Sequence, residues 1–208
     1  MNRKTPAIRI VRQSGFTLVE IAIVLVIIGL ILGGVLKGQV LIENAKYKSF
    51  VKDIESYRAG FYTFQDTYRA LPGDIGVITA LDANATKGDG NGVIDGAECS
   101  ATDEESCLVW YHLRYAGIIA GDPSIEDETA PPTHTYGGKV SAIATGSWAN
   151  GVNEIKILTL GIPGDVAQRY DNEFDDGDAR SGSVARYDPN NNSDTYELTE
   201  SHSVYITL

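Results

Sequence analysis

The chain has 208 residues, with 17 Lys+Arg against 28 Asp+Glu and a formal net charge of -11 at pH 7. Such an acidic balance favours solubility and repels phosphate backbones, so it disfavours a nucleic acid partner. The three histidines, His112, His134 and His202, are scattered, and no nucleophile motif accompanies them. We therefore predict that the protein is not an enzyme.

The first 36 residues divide into a basic leader and an apolar segment. The leader carries Arg3, Lys4, Arg9 and Arg12 and no acid, whereas Glu20 is the only charged residue between Phe16 and Leu36. As a helix, residues 16–36 would measure about 31 Å, enough to cross a hydrocarbon core. The positive charge predicts a single pass with the N-terminus in the cytoplasm.

Two ordinary interpretations of this segment compete. A secretory signal peptide has a shorter apolar core and a small-x-small cleavage site, and residues 33–37, GGVLK, fit such a site poorly. Length and charge do not exclude a plain uncleaved anchor. A carboxylate at Glu20 would cost about 2.5–3.5 kcal/mol in a bilayer, however, unless a cation neutralises it. The amine of a neighbouring chain cut before Phe16 would be such a cation.

The run from Gly15 to Glu20, GFTLVE, resembles the class III signal of type IV prepilins and type II secretion pseudopilins. The resemblance implies that a prepilin peptidase cuts between Gly15 and Phe16, and that Phe16 is then N-methylated. It also implies that Glu20 pairs with a neighbouring subunit's N-terminus during assembly. The implied partners are other pilin or pseudopilin subunits, in a homo- or hetero-polymer, and an inner-membrane assembly platform.

The function implied by the resemblance is that of a structural subunit of a type IV pilus or a type II secretion pseudopilus. The protein would lie in the bacterial inner membrane with a periplasmic head, and later in a periplasmic or extracellular filament. Two alternatives remain open. One is a minor pilin whose head binds a surface or secreted substrate, and the other is a non-polymerising, membrane-anchored, calcium-binding periplasmic protein.

The predicted fold class is α+β and pilin-like, with a long N-terminal helix packed on a small antiparallel sheet. The expected parts are a leader (1–15), a membrane or filament-core helix (16–36), an amphipathic helix (37–70) and a head (71–208). Apolar residues at intervals of three and four predict the buried face of the amphipathic helix. They are Tyr47, Phe50, Val51, Ile54, Tyr57, Phe61, Phe64 and Tyr68.

The turn residues 71–74, LPGD, are expected to stop that helix. An irregular connector should follow to about residue 107, then a second helix over 108–120. A third helix is expected from Pro163 or Asp165 to Phe174. Alternating or β-rich runs bounded by Gly and Asn predict strands over residues 139–145, 154–160, 183–187 and 203–208.

Cys99 and Cys107 form an even pair in a segment expected outside the cytoplasm, which indicates a disulfide. Two free thiols or metal ligands are the alternative.

The sharpest candidate metal site is a glycine-rich acidic run over residues 88–98. Asp89, Asn91, Asp95 and Glu98 fall at the third, fifth, ninth and twelfth places of an EF-hand-like loop, a pattern that predicts bound Ca2+. Lys87 stands where the first aspartate should be. Either Asp82 or Asn84 supplies that ligand, or the loop binds weakly, or it is only a turn.

A second acidic run spans residues 171–178. Its charges repel one another unless a cation, or Arg180 and Arg186, balances them. A helix end running into an acidic turn is the simpler interpretation.

Overall fold

The computed structural model describes residues 15–76, 81, 87–96, 99, 104–123, 131–147, 153–187 and 195–208, and these contain helices and antiparallel strands. Within those ranges a long N-terminal helix precedes a small sheet, which confirms the predicted α+β, pilin-like class. The elements are α1 (Leu18–Tyr68), α2 (Glu105–Tyr115), β1 (Val140–Ser147), β2 (Asn153–Pro163), α3 (Gly164–Phe174), β3 (Val184–Tyr187) and β4 (Ser201–Thr207).

The chain divides into two compact units, Met1–Asn44 and Ala45–Leu208. In the described part of the first unit, the large apolar side chains of α1 are exposed; Leu18 is 90% exposed and Leu30 73%. By length and composition, α1 could cross a membrane through this apolar stretch.

In the second unit, the aromatic face of α1 forms one side of the core. Phe50, Ile54, Phe61 and Phe64 are at most 1% exposed, as their three- and four-residue spacing predicts. Gly60 lies on the same face, and a Cβ there would come within 3.1 Å of the Ile118 side chain. Glycine at this position therefore allows the segment after α2 to approach the helix closely.

The other side of the core is a four-stranded antiparallel sheet with the strand order β1-β2-β4-β3. One row of partners crosses all four strands, through Ile143, Ile157, Ile206 and Val184. All four side chains are buried in the same core cluster as the aromatic face of α1. Alternation along each strand therefore directs one face of the sheet toward the core.

The observed boundaries differ from the predicted ones by a few residues, for local reasons. α1 ends at Tyr68, before the LPGD turn, because Arg69 takes a left-handed conformation with φ 54°. β2 runs past residue 160 because an irregularity between Thr159 and Ile162 shifts its register against β4. α2 begins at Glu105 and ends at Tyr115, close to Gly117 with φ 66°.

His134 is buried in this core in one neutral tautomer. Its Nε2–H donates to the Leu160 carbonyl at 2.8 Å, and its Nδ1 accepts from the Tyr136 N–H at 3.2 Å. Its ring also meets Phe50 edge-on at 5.5 Å. Burial lowers the pKa of His134, because the charged ring would lose its hydration.

Replacing Phe50 with alanine should lower the free energy of unfolding by about 3–5 kcal/mol, because it leaves a cavity in the core beside His134 and Tyr170. The matched control is Tyr62→Ala on the same helix, since Tyr62 is 48% exposed. Thermal unfolding of the detergent-solubilised full chain checks this. Equal losses in the two variants would contradict the assigned core face.

Stability should fall as the pH is lowered from about 6.5 toward the pKa of His134 in the folded protein. The unfolded chain, with an ordinary histidine pKa near 6.5, then takes up protons that the folded state does not. In His134→Gln, the amide can still donate to the Leu160 carbonyl but does not titrate. The Tm of this variant should depend less on pH than that of the wild type, and equal dependence would contradict the account.

Candidate functional site

The Gly15–Phe16 bond lies in a non-helical segment immediately before α1. Residues 15–17 have no regular structure, and α1 begins at Leu18. Phe16 is 85% exposed, and no atom crowds Gly15 within 4 Å of where a Cβ would stand. The backbone at this bond is therefore accessible, and its groups are not held in the α1 helix.

Thr17 and Glu20 form a reciprocal cap at the start of α1. The Thr17 N–H donates to Glu20 Oε2 at 2.7 Å, and the Thr17 hydroxyl donates to the same oxygen at 2.7 Å. In return, the Glu20 N–H donates to Thr17 Oγ1 at 3.2 Å. This is a capping box, in which a threonine at the N-cap and a glutamate three residues later satisfy helix-end donors.

The sequence analysis did not identify Thr17 as a helix cap, although the Thr-x-x-Glu spacing from Thr17 to Glu20 is the pattern of a capping box. The cap gives the Glu20 carboxylate hydrogen-bond partners within its own chain. An acid at this position therefore does not by itself require a neighbouring chain. In the described part of the chain, no lysine or arginine forms an ion pair with Glu20.

The segment that follows the cap is apolar on every side. Ile23, Val26, Leu30 and Leu36 are all at least half exposed. A helix that is apolar all round is stable only when lipid or other apolar side chains cover it. Residues 18–36 therefore need such a cover.

The glycine-rich acidic run is held by hydrogen bonds to its own side chains and to Glu105. Asp89 Oδ1 accepts from the Asn91 N–H at 2.9 Å, and Asn91 Oδ1 accepts from the Val93 N–H at 2.7 Å. The Asp95 N–H donates to Glu105 Oε2 at 3.0 Å. Glu98 lies outside the described residues, so the calcium loop of Asp89, Asn91, Asp95 and Glu98 stays a prediction.

The same holds for the substitute ligands Asp82 and Asn84, which also lie outside the described residues. Two of the carboxylates that come together around this run do not belong to the EF-hand-like pattern. Asp74, Asp89 and Glu105 each offer an oxygen, and these oxygens lie within 4.8 Å of one another. Sequence separation hid this group, because Asp74 precedes Asp89 by 15 residues and Glu105 begins α2.

The second acidic run forms the end of α3 and a turn. Asp171 is fully buried and accepts from the Tyr196 hydroxyl at 2.9 Å and from the Gly177 N–H at 2.9 Å. Asp175 Oδ2 accepts from the Val184 N–H at 2.9 Å. Burial raises the pKa of Asp171, because it removes water from the charged form.

One of the two arginines near this run pairs with an acid of the run, and the other pairs with an acid outside it. Arg180 lies 3.4 Å from Asp178, and Arg186 lies 3.4 Å from Glu197. The carboxylates of Asp171 and Asp175 instead accept hydrogen bonds from backbone N–H groups in and after the turn.

The cysteines of the second unit are bonded to each other, and its histidines form hydrogen bonds to the backbone. Cys99 and Cys107 form a disulfide, as predicted. His112 Nδ1 accepts from the Gly73 N–H at 2.8 Å, and His202 Nε2 bonds to the Glu197 carbonyl at 2.9 Å. These histidines, like His134, bond to backbone groups.

Replacing Thr17 with alanine should weaken the first turn of α1 by about 1 kcal/mol, because two cap hydrogen bonds are lost. Thr17→Ser keeps the hydroxyl and should behave like the wild type. Amide hydrogen exchange over residues 18–21 of the micelle-bound chain measures the effect. Exchange rates unchanged by Thr17→Ala would contradict the capping box.

Comparison with known proteins identifies the N-terminal segment. Residues 10–36 match the prokaryotic N-terminal methylation motif, the prepilin-type signal of type IV pilins and pseudopilins. No curated protein and no solved structure matches the chain. The motif supports a type IV pilin- or pseudopilin-like protein, and families with this motif are structural and not catalytic. The chain therefore carries the N-terminal methylation signal of the prepilin-type proteins over residues 10–36.

Proposed function

We propose that the protein is a structural subunit of a type IV pilus or a type II secretion pseudopilus. The observation that carries the proposal is the methylation motif over residues 10–36, with an accessible Gly15–Phe16 bond directly before an apolar helix. A prepilin peptidase cuts this bond, and Phe16 becomes the methylated N-terminus.

The leader and the apolar helix set the topology of the unprocessed chain. The four cations of residues 1–15 keep the leader in the cytoplasm, and α1 anchors the chain in the inner membrane. Ala45–Leu208 then lies in the periplasm, where a disulfide between Cys99 and Cys107 is stable. Cleavage changes the formal net charge from -11 to -15, because it removes those four cations and no acid.

Assembly exchanges the lipid around α1 for the apolar helices of neighbouring subunits. The new amine at Phe16 of one chain pairs with Glu20 of its neighbour and fixes the register between them. Glu20 Oε2 already accepts two hydrogen bonds from Thr17. Glu20 thus caps its own helix while its charge remains available to a cation.

The capping box equally fits a non-polymerising, membrane-anchored protein, because the cap stabilises α1 without a neighbour. In that alternative the Gly15–Phe16 bond stays intact. A minor pilin that binds a surface or a secreted substrate is a variant of the main proposal, in which the same N-terminal assembly presents a binding head.

The substitution Glu20→Gln separates the two roles of this residue. Glutamine also serves at the third position of a capping box, so the helix start is preserved while the charge is removed. If the carboxylate pairs with a neighbour's amine, assembly should weaken by about 3 kcal/mol or more, which is at least about 100-fold in association.

The measurement is the yield of sheared filaments from cells that express the chain with its peptidase and assembly platform. Thr17→Ser is the matched control and should assemble like the wild type. Full assembly of Glu20→Gln, with normal processing, would contradict the proposed pairing. Failure of every variant and of the wild type to assemble would favour the non-polymerising anchor.

A further inference from the structure

Three segments of the second unit bring carboxylates to one point. Asp74 lies in the turn after α1, Asp89 lies in the glycine-rich run, and Glu105 is the first residue of α2. Their offered oxygens lie within 4.8 Å of one another. Gly88 makes this approach possible, because a Cβ there would stand 2.6 Å from Glu105 Oε1 and 2.6 Å from the Asp74 Cα.

No cation balances the three charges in the part of the chain that the structure describes. None of the ion pairs there includes Asp74, Asp89 or Glu105. Arg69 is near in sequence, but its side chain is 82% exposed, and its guanidinium lies 3.3 Å from the Asp66 carboxylate. Three carboxylates this close repel one another, and a cation between them would relieve that repulsion.

Asp74 provides an independent indication of a ligand. The residue is only 4% exposed, and its Oδ2 accepts from the Gly92 N–H at 3.0 Å. Its other oxygen, Oδ1, is buried and has no hydrogen-bond partner. A buried carboxylate oxygen without a partner is costly, and a bound cation would remove that cost.

The group also has access to solvent through an adjoining cavity. The cavity has a volume of about 610 Å³, and its lining includes Gln65, Arg69, Asp74 and Asp89. An ion can enter from this side, and water can occupy the coordination positions that the protein leaves open.

We propose that Asp74, Asp89 and Glu105 bind a calcium ion. The ligand atoms are carboxylate oxygens, which suit a hard divalent cation. Calcium suits this site better than magnesium because backbone hydrogen bonds already hold all three carboxylates in place, and calcium accepts irregular geometry. The ion fastens the turn after α1 and the glycine-rich run to the start of α2.

This site differs from the EF-hand-like loop that the sequence suggests. It shares Asp89 with that loop but takes Asp74 and Glu105 from outside it. It therefore needs no ligand at the position of Lys87 and does not need Glu98. All three residues belong to the second unit, so the proposal does not rest on the proposed filament function.

The substitution Asp74→Asn tests the site while preserving its architecture. The asparagine oxygen can still accept from the Gly92 N–H, and the amide nitrogen replaces the unpartnered oxygen. Titration calorimetry of the full chain in detergent, with CaCl2, should give binding to the wild type and at least 10-fold weaker binding to Asp74→Asn. Asp165→Asn, an exposed acid in the first turn of α3, is the charge-matched control and should bind like the wild type.

Thermal unfolding in EGTA and in millimolar CaCl2 provides a second readout. Calcium should raise the Tm of the wild type and of Asp165→Asn by several degrees, and should raise that of Asp74→Asn clearly less. In EGTA, Asp74→Asn should melt at or above the wild-type temperature, because one of three repelling charges is gone. No binding to the wild type, undiminished binding to Asp74→Asn, or a lower Tm of that variant in EGTA would each overturn the proposal.

Discussion

The structure depends on how the side chains of α1 are covered along its length. From Leu18 to Leu36 they are exposed and, apart from Glu20, free of charge, whereas Phe50, Ile54, Phe61 and Phe64 are almost completely buried against the protein's own core. Burial of apolar surface is the main favourable term in folding, so the second stretch is stable within the chain and the first is not. The first stretch therefore requires a bilayer or a set of similar helices.

A few residues at the start of α1 serve both the helix cap and the proposed processing and assembly. The backbone at Gly15 and Phe16 stays outside the helix, and Thr17 and Glu20 satisfy the donors of the first turn. A charged side chain in an apolar helix is thereby given a local partner. The same charge is what the proposed assembly uses, so stability of the helix start and pairing between subunits depend on one carboxylate.

Much of this fold was predictable from the sequence, because periodicity reports burial directly. The spacing of Phe50, Ile54, Phe61 and Phe64 identified the core face of α1, and alternation located the strands to within a few residues. The convergence of Asp74, Asp89 and Glu105 was not predictable, because it depends on how distant segments pack. Burial of Asp171 was equally hidden, since its partner Tyr196 lies 25 residues away.

The most direct test of the account is the N-terminal mass of the protein extracted from membranes of cells that contain a prepilin peptidase. The account predicts loss of residues 1–15 and a methyl group on Phe16, with an intact leader when the peptidase is absent. A full-length chain in both samples would contradict it and make α1 an uncleaved anchor.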